Sequence, residues 1–130
     1  MDQQLFKKEI RVLLWIFILC IVFFSACSQQ IFNGNKVKDP DCYTLQFEKM
    51  NQEDSHTLTL QKGDALSLDY YISKGHVNLV ISHGDDQPIY RGDDIENGLF
   101  DVIVPKSGDY RITVKAKNAA GFINIYAHGE

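Results

Sequence analysis

The sequence is poor in cysteine, proline and basic charge. Three Cys among 130 residues are too few for the disulfide framework of a small bridged domain. Thirteen Lys and Arg against seventeen Asp and Glu give a net charge of -4, so no basic surface suggests a nucleic-acid partner. With 45% hydrophobic and 23% charged residues, the composition excludes both a disordered chain and a polytopic membrane protein. The length allows one ordinary domain.

The first 26 residues have the organisation of an export signal. Lys7, Lys8 and Arg11 precede an uninterrupted apolar run from Val12 to Phe24. At about 1.5 Å of helical rise per residue, this run is short of the roughly 30 Å hydrocarbon core of a bilayer. Small residues follow the run. The pattern therefore predicts a helical signal peptide over residues 1–26 rather than a membrane span.

The end of this segment, Phe24-Ser25-Ala26-Cys27, resembles the lipobox of bacterial lipoproteins. The resemblance implies cleavage between Ala26 and Cys27 and a diacylglycerol on the Cys27 thiol. Cys27 would then anchor the protein outside the cytoplasm, either on the outer face of the cell membrane or on an envelope membrane facing the periplasm. The alternative is an unmodified Cys27 at the end of an uncleaved signal anchor. Two acyl chains hold a protein on a bilayer far more firmly than one.

Residues 27–42 are predicted to be the lipidated cysteine and a flexible tether. Polar residues dominate this segment, and only three apolar residues occur between Ser28 and Asp41. Cys42 ends this segment. The nearby Asp39 and Asp41 are expected to raise the pKa of its thiol, which disfavours a catalytic cysteine.

From Tyr43 to the C-terminus, apolar and polar residues alternate with a period of two, which is typical of half-buried β-strands. Turn signals at Lys62-Gly63-Asp64, Lys74-Gly75, His83–Asp86 and Asn118–Gly121 divide the pattern into about eight strands. The sequence therefore predicts an all-β domain over residues 43–130, folded as an antiparallel two-sheet β-sandwich.

An ordered set of segments carries a further resemblance. Lys62-Gly63-Asp64, Tyr70-Tyr71, Ile89-Tyr90 and Ser107–Ile112 precede a Gly-containing final hairpin. This order is similar to the pattern of GOLD-type β-sandwiches and of small jelly-roll-type bacterial lipoproteins. The resemblance implies a sandwich fold. It transfers no function, because a fold supports many functions, and the Cys pair and C-terminal membrane span of p24-type GOLD proteins are absent.

No motif in the sequence indicates catalysis or a cofactor. The four His are dispersed, and no zinc-ligand spacing, nucleophile elbow or phosphate loop occurs. We therefore expect a protein that is not an enzyme and has neither a metal site nor a cofactor. The acidic pairs Asp85-Asp86 and Asp93-Asp94 leave calcium open, although neither follows a known calcium-loop order.

Aromatic residues out of phase with the core pattern suggest a contact surface. Tyr71 and Tyr126 fall opposite the apolar face of their own strands, with Asn78, Asn124 and Asp69 nearby in the predicted strands. These five residues are the predicted partner-binding site, for a protein or a glycan; the alternative is that they pack under loops. The sequence thus favours a non-catalytic binding module on a membrane-anchored lipoprotein. The alternative function is a structural or accessory subunit of a cell-envelope complex.

Overall fold

A computed structural model describes residues 2–24 and 29–129 of the chain. One helix, α1, spans Asp2–Phe24, in agreement with the predicted helix. Within the described residues, no helix is both long enough and apolar enough to cross a membrane. Seven strands follow: β1 Ile31–Asp39, β2 Cys42–Asn51, β3 Glu53–Leu60, β4 Ala65–Ser82, β5 Tyr90–Gly92, β6 Asn97–Ile103 and β7 Gly108–His128.

All strand pairs are antiparallel, and β4 and β7 form the centre of the sheet. The order is β1-β2-β7-β4-β5, while β3 also pairs with β7 and β6 also pairs with β4. Each long strand therefore has different neighbours along its two halves. β7 pairs with β3 through Gly108–Lys115 and with β2 through Ala119–Tyr126. β4 pairs with β6 through Ala65–Tyr71 and with β5 through Leu79–Ile81.

The division of neighbours makes the sheet a two-layer sandwich. The front layer contains β1, β2, β6, the first half of β4 and the second half of β7. The back layer contains β3, β5 and the other halves of β4 and β7. Both long strands pass from one layer to the other at a shared irregularity, where the register shifts between Ile72 and His76. Such bulges bend a strand sharply.

The same irregularity keeps the apolar residues on the inside. In β4 the buried residues have even numbers before it (Leu66, Leu68) and odd numbers after it (Val77, Leu79). β7 changes phase in the same place, from buried Ile112 and Val114 to buried Ile123 and Ile125. Because side chains alternate between the faces of a strand, a change of phase without a bulge would turn one set outward. One core cluster therefore receives side chains from both layers.

The all-β, antiparallel prediction is confirmed, but the chain reversals expected at Lys74-Gly75 and Asn118–Gly121 are wrong. Both segments lie inside long strands and bend them without reversing them. Three residues in these segments have positive φ: Gly75 at 73°, Asn118 at 46° and Gly121 at 147°. Positive φ suits a turn and a bulge equally. Two pairs of predicted strands are thus single strands, and together with β1, a strand that was not predicted, they bring the total to seven rather than about eight.

The flexible tether predicted over residues 27–42 is wrong for Ile31–Asp39, which form β1. Its backbone pairs with β2 from Ile31 opposite Asn51 to Asp39 opposite Cys42. An edge strand with one solvated face needs few apolar side chains, which is why its composition resembles a linker.

A polar cluster fixes β1 and β2 to β3 in the other layer. The Asp54 carboxylate on β3 accepts hydrogen bonds from the Tyr43 hydroxyl and from Lys36 and Lys38, whose Nζ atoms lie 3.1 and 3.3 Å away. The Asp54 side chain is only 11% exposed. Burial would raise the pKa of this carboxyl, but the hydrogen bonds from Tyr43, Lys36 and Lys38 outweigh it and hold the pKa below its ordinary value. The cluster thus connects the layers electrostatically.

Gly121→Ala tests the bend. A Cβ at Gly121 would lie 2.0 Å from the Tyr71 carbonyl oxygen, so the substitution combines a clash with an unfavourable φ. We expect a loss of about 2–4 kcal/mol in the free energy of unfolding, measured by urea denaturation. Gly129→Ala, where no atom lies within 4 Å, is the matched control. Equal stability of the two variants would contradict the bend.

Asp54→Asn tests the polar cluster. At neutral pH we expect it to lower the free energy of unfolding by about 1–3 kcal/mol, because it weakens three hydrogen bonds to one half-buried carboxylate. The folded protein lowers the pKa of Asp54, so the stabilisation is fully present above the unfolded pKa of about 4 and is lost as the pH falls through the folded value. The difference in the free energy of unfolding between wild type and variant should therefore become smaller below about pH 4. If this difference stayed constant between neutral pH and about pH 2, the charge of the Asp54 carboxylate would not contribute to stability. Tyr43→Phe, which removes only the hydroxyl, is the companion variant.

Candidate functional site

The large apolar side chains that are exposed on the strands lie on the outward face of the front layer: Val37, Tyr71, Leu99, Ile103 and Tyr126. Residues that are opposite one another in an antiparallel sheet share a face, so the registers define rows across it. The central row consists of Leu99, Asp69, Asn124, Thr44 and Val37, from β6 to β1.

A second row, the tyrosine row, contains Tyr126 beside Ser67 and Cys42, with Asp101 and Asp39 at its ends. The Ser67 hydroxyl donates to Asp101 at 2.7 Å, and the Cys42 thiol lies 3.8 Å from an Asp39 carboxylate oxygen. Cys42 is a buried free cysteine.

The thiol of Cys42 is not activated as a nucleophile. Burial, and then the nearby Asp39 and Asp41 carboxylates, raise its pKa, as its acidic neighbours predicted. A raised pKa leaves little reactive thiolate at neutral pH.

A third row lies at the end of the front layer nearest the bend: Asn97, Tyr71, Phe122, Gln46 and Asn35. We call it the amide–aromatic row. The rings of Tyr71 and Phe122 have centroids 6.4 Å apart and are inclined by 37°. Amide side chains flank this aromatic pair on both sides. Phe122, Gln46, Asn35 and Asn97 were not predicted as site residues, because only cross-strand register places them beside Tyr71.

The exposed apolar residues on this face are large. Leu99 is 80% exposed, Ile103 62%, Tyr71 51% and Tyr126 44%. Single exposed apolar residues are common on folded proteins, but a concentration of them on one face of a sheet indicates a contact surface.

The structure brings four of the five predicted site residues together and separates the fifth. Asp69 and Asn124 are directly opposite each other, between Tyr71 and Tyr126 along the strands. Asn78 lies beyond the bend, on the outward face of the back layer, where it is opposite Lys115. Its side-chain oxygen accepts a hydrogen bond from the Asp94 backbone N–H at 2.8 Å. Asn78 thus caps a loop and lies apart from the other four predicted site residues, because the bend changes which positions of β4 face outward.

Two shallow grooves adjoin the amide–aromatic row. The first, of about 490 Å³, includes Tyr71, Lys74, His76, Glu96 and Asn97 in its lining. The second, of about 520 Å³, includes Asn33, Asn35, Gln46, Glu48 and Phe122. Each groove therefore has one ring of the aromatic pair as a wall.

Each acidic pair considered for calcium contacts basic side chains. Asp86 lies 3.1 Å from His83 and also pairs with Lys106, and hydrogen bonds from Lys106 and then His83 lower the pKa of its carboxyl.

In the second acidic pair, Asp93 is 3.5 Å from Arg91, and Asp94 is 2.8 Å from His76. Over residues 2–24 and 29–129, no group of three or more His, Cys, Asp or Glu side chains is arranged to hold a metal ion.

Ala26 and Cys27, the predicted cleavage and lipidation residues, lie outside the described residues.

Comparison with known proteins identifies no family. No protein-family model matches the chain, and no curated protein is significantly similar to it. Among solved structures, the chain is similar to PliG from Aeromonas hydrophila, described as a periplasmic lysozyme inhibitor of g-type lysozyme. The TM-score is 0.42 with 14% sequence identity, and the match covers 78% of this chain and 93% of that chain. The lipobox and the GOLD-like pattern remain predictions from the sequence.

Proposed function

We propose that this protein is a lipid-anchored extracytoplasmic binding module, held on a membrane through Cys27 and without catalytic activity of its own. The outward face of the front layer binds its partner, a protein or a glycan. The observation that carries the proposal is the set of exposed apolar and aromatic side chains on this one face, with Leu99 80% exposed.

The arrangement of polar groups also supports binding without chemistry. A general acid or base acts through hydrogen bonds to reacting groups and a pKa adapted to the reaction. On this face, the Asp101 carboxylate accepts a hydrogen bond from Ser67, and Asp69 is opposite an amide, Asn124. Paired with the adjacent aromatic rings, these groups suit recognition by hydrogen bonding and packing.

The alternative is a permanent subunit of a cell-envelope complex. The observation that favours it is the pair Leu99 and Ile103, which is the most exposed apolar pair on β6. A permanent partner would cover these two side chains at all times, and the protein would then copurify with that partner in a fixed ratio.

Cys27→Ala tests the anchor. We expect the variant either to leave the membrane fraction or to accumulate as an unprocessed precursor, because acyl chains on one cysteine provide the predicted attachment. Fractionation and mass spectrometry of the N-terminal peptide measure the outcome. Cys20→Ala, within the predicted leader, is the control and should stay with the membrane. Processing that is insensitive to globomycin, with an unlipidated Cys27, would contradict the proposal.

Three variants of the full chain test the binding face. Tyr126→Ser and Leu99→Ser change the front layer, and Val80→Ser makes the matched change on the outward face of the back layer. We expect the first two to weaken the saturable binding of a partner from envelope extracts at least tenfold, since truncating a central contact residue commonly costs this much. Val80→Ser should leave capture unchanged.

Quantitative pull-down with the detergent-solubilised protein provides the measurement, and urea denaturation verifies that each variant is folded. Equal capture by wild type and all three variants would exclude the front face as the binding surface.

A further inference from the structure

The amide–aromatic row runs across the strands, at right angles to the chain direction. Its five residues occupy neighbouring strands from β6 to β1. Four inter-strand steps of about 4.8 Å make the row roughly 19 Å long. Its amides lie on both sides of its two rings, so a ligand along the row would meet an amide, two aromatic rings and two further amides in turn.

The grooves extend the row on its bend side. Because Tyr71 lines the first groove and Phe122 the second, the aromatic pair separates two recesses of nearly equal volume. Polar side chains predominate in both. The first groove holds charged side chains of both signs, with Lys74 beside Asp94 and Glu96. The row and its grooves therefore present no field of a single sign that would attract a polyanion.

The amides of the row are available to a ligand. Each amide side chain offers two donors and a carbonyl acceptor. Among the described residues, no side-chain hydrogen bond involves Asn35, Gln46 or Asn97, whereas Asn51 and Asn78 elsewhere are bonded to backbone groups.

Linear sugars have a matching chemistry. A pyranose ring presents an apolar C–H face, which packs on an aromatic ring, and hydroxyl groups at its rim, which both donate and accept hydrogen bonds. Aromatic rings flanked by amides satisfy both requirements. An extended peptide has a different requirement, because it gains its main-chain hydrogen bonds along an edge strand, while this row crosses the middle of the sheet.

We propose that the amide–aromatic row and its two grooves bind an uncharged linear oligosaccharide lying across the strands. The rings of Tyr71 and Phe122 stack on sugar faces, and Asn35, Gln46 and Asn97 bind hydroxyl groups. This inference rests on the proposed function, since it names the partner class for the same face.

The test is a binding assay of the full, detergent-solubilised chain on immobilised chitotetraose, cellotetraose and maltotetraose, with sulfated heparin fragments as the charged comparison. We expect at least one of the three neutral oligosaccharides to bind and heparin not to bind. Tyr71→Ala should weaken binding at least tenfold, and Gln46→Ala severalfold. Val80→Ser, on the outward face of the back layer, should have no effect.

Binding of none of the neutral oligosaccharides would overturn the inference. So would neutral-sugar binding that Tyr71→Ala leaves intact, or preferential binding of heparin. Tyr71 and Gln46 lie outside the core cluster, and unchanged urea midpoints verify that their variants fold. Capture of a protein that depends on Leu99 and Tyr126 without any sugar binding would refute the glycan and leave the proposed function standing. If the protein captured no partner and bound no sugar, both the oligosaccharide inference and the proposed function would be refuted.

Discussion

The bend shared by β4 and β7 is the constraint on which the rest of this structure depends. At one place, between Ile72 and His76 on β4 and around Asn118–Gly121 on β7, the two central strands leave one layer and enter the other. Their backbones remain paired on both sides of the bend, so the layers are covalently continuous and need no disulfide to hold them together. The shift in phase that accompanies the bend lets a single core receive alternating side chains from both halves of each strand.

The same bend defines the proposed binding face. It fixes which residues of β4 face outward in the front layer, and so places Tyr71 beside Phe122 and Asp69 beside Asn124. It also ends the regular face abruptly, which creates the grooves on either side of the aromatic pair. The proposed binding face and the core therefore both follow from one backbone feature. The polar cluster of Asp54, Tyr43, Lys36 and Lys38 adds a second connection between the layers at the opposite edge.

Much of the fold is predictable from the alternation of residues alone. The period-two pattern from Tyr43 predicts an antiparallel all-β domain, and it correctly assigns Tyr71 and Tyr126 to an outward face. Three features needed information that local sequence does not contain. The dipeptide Lys74-Gly75 is compatible with both a reversing turn and a bulge, because glycine adopts positive φ in either. β1 is stabilised by its pairing with β2 and by Asp54, which lies 16 to 18 positions from its lysines, and not by apolar residues of its own. The row that contains Gln46 and Asn35 exists only through register between distant strands.

The most direct test of the bend is the pattern of cross-strand nuclear Overhauser effects in the folded protein. If β4 is one bent strand, cross-peaks should connect it to β7 on both sides of the bend, from Tyr71 to Phe122 and from Asn78 to Lys115. If Lys74-Gly75 reverses the chain instead, cross-peaks would connect Ile72 with Val77 and Tyr70 with Leu79 as in a hairpin. That second pattern would contradict both the two-layer architecture and the binding face derived from it.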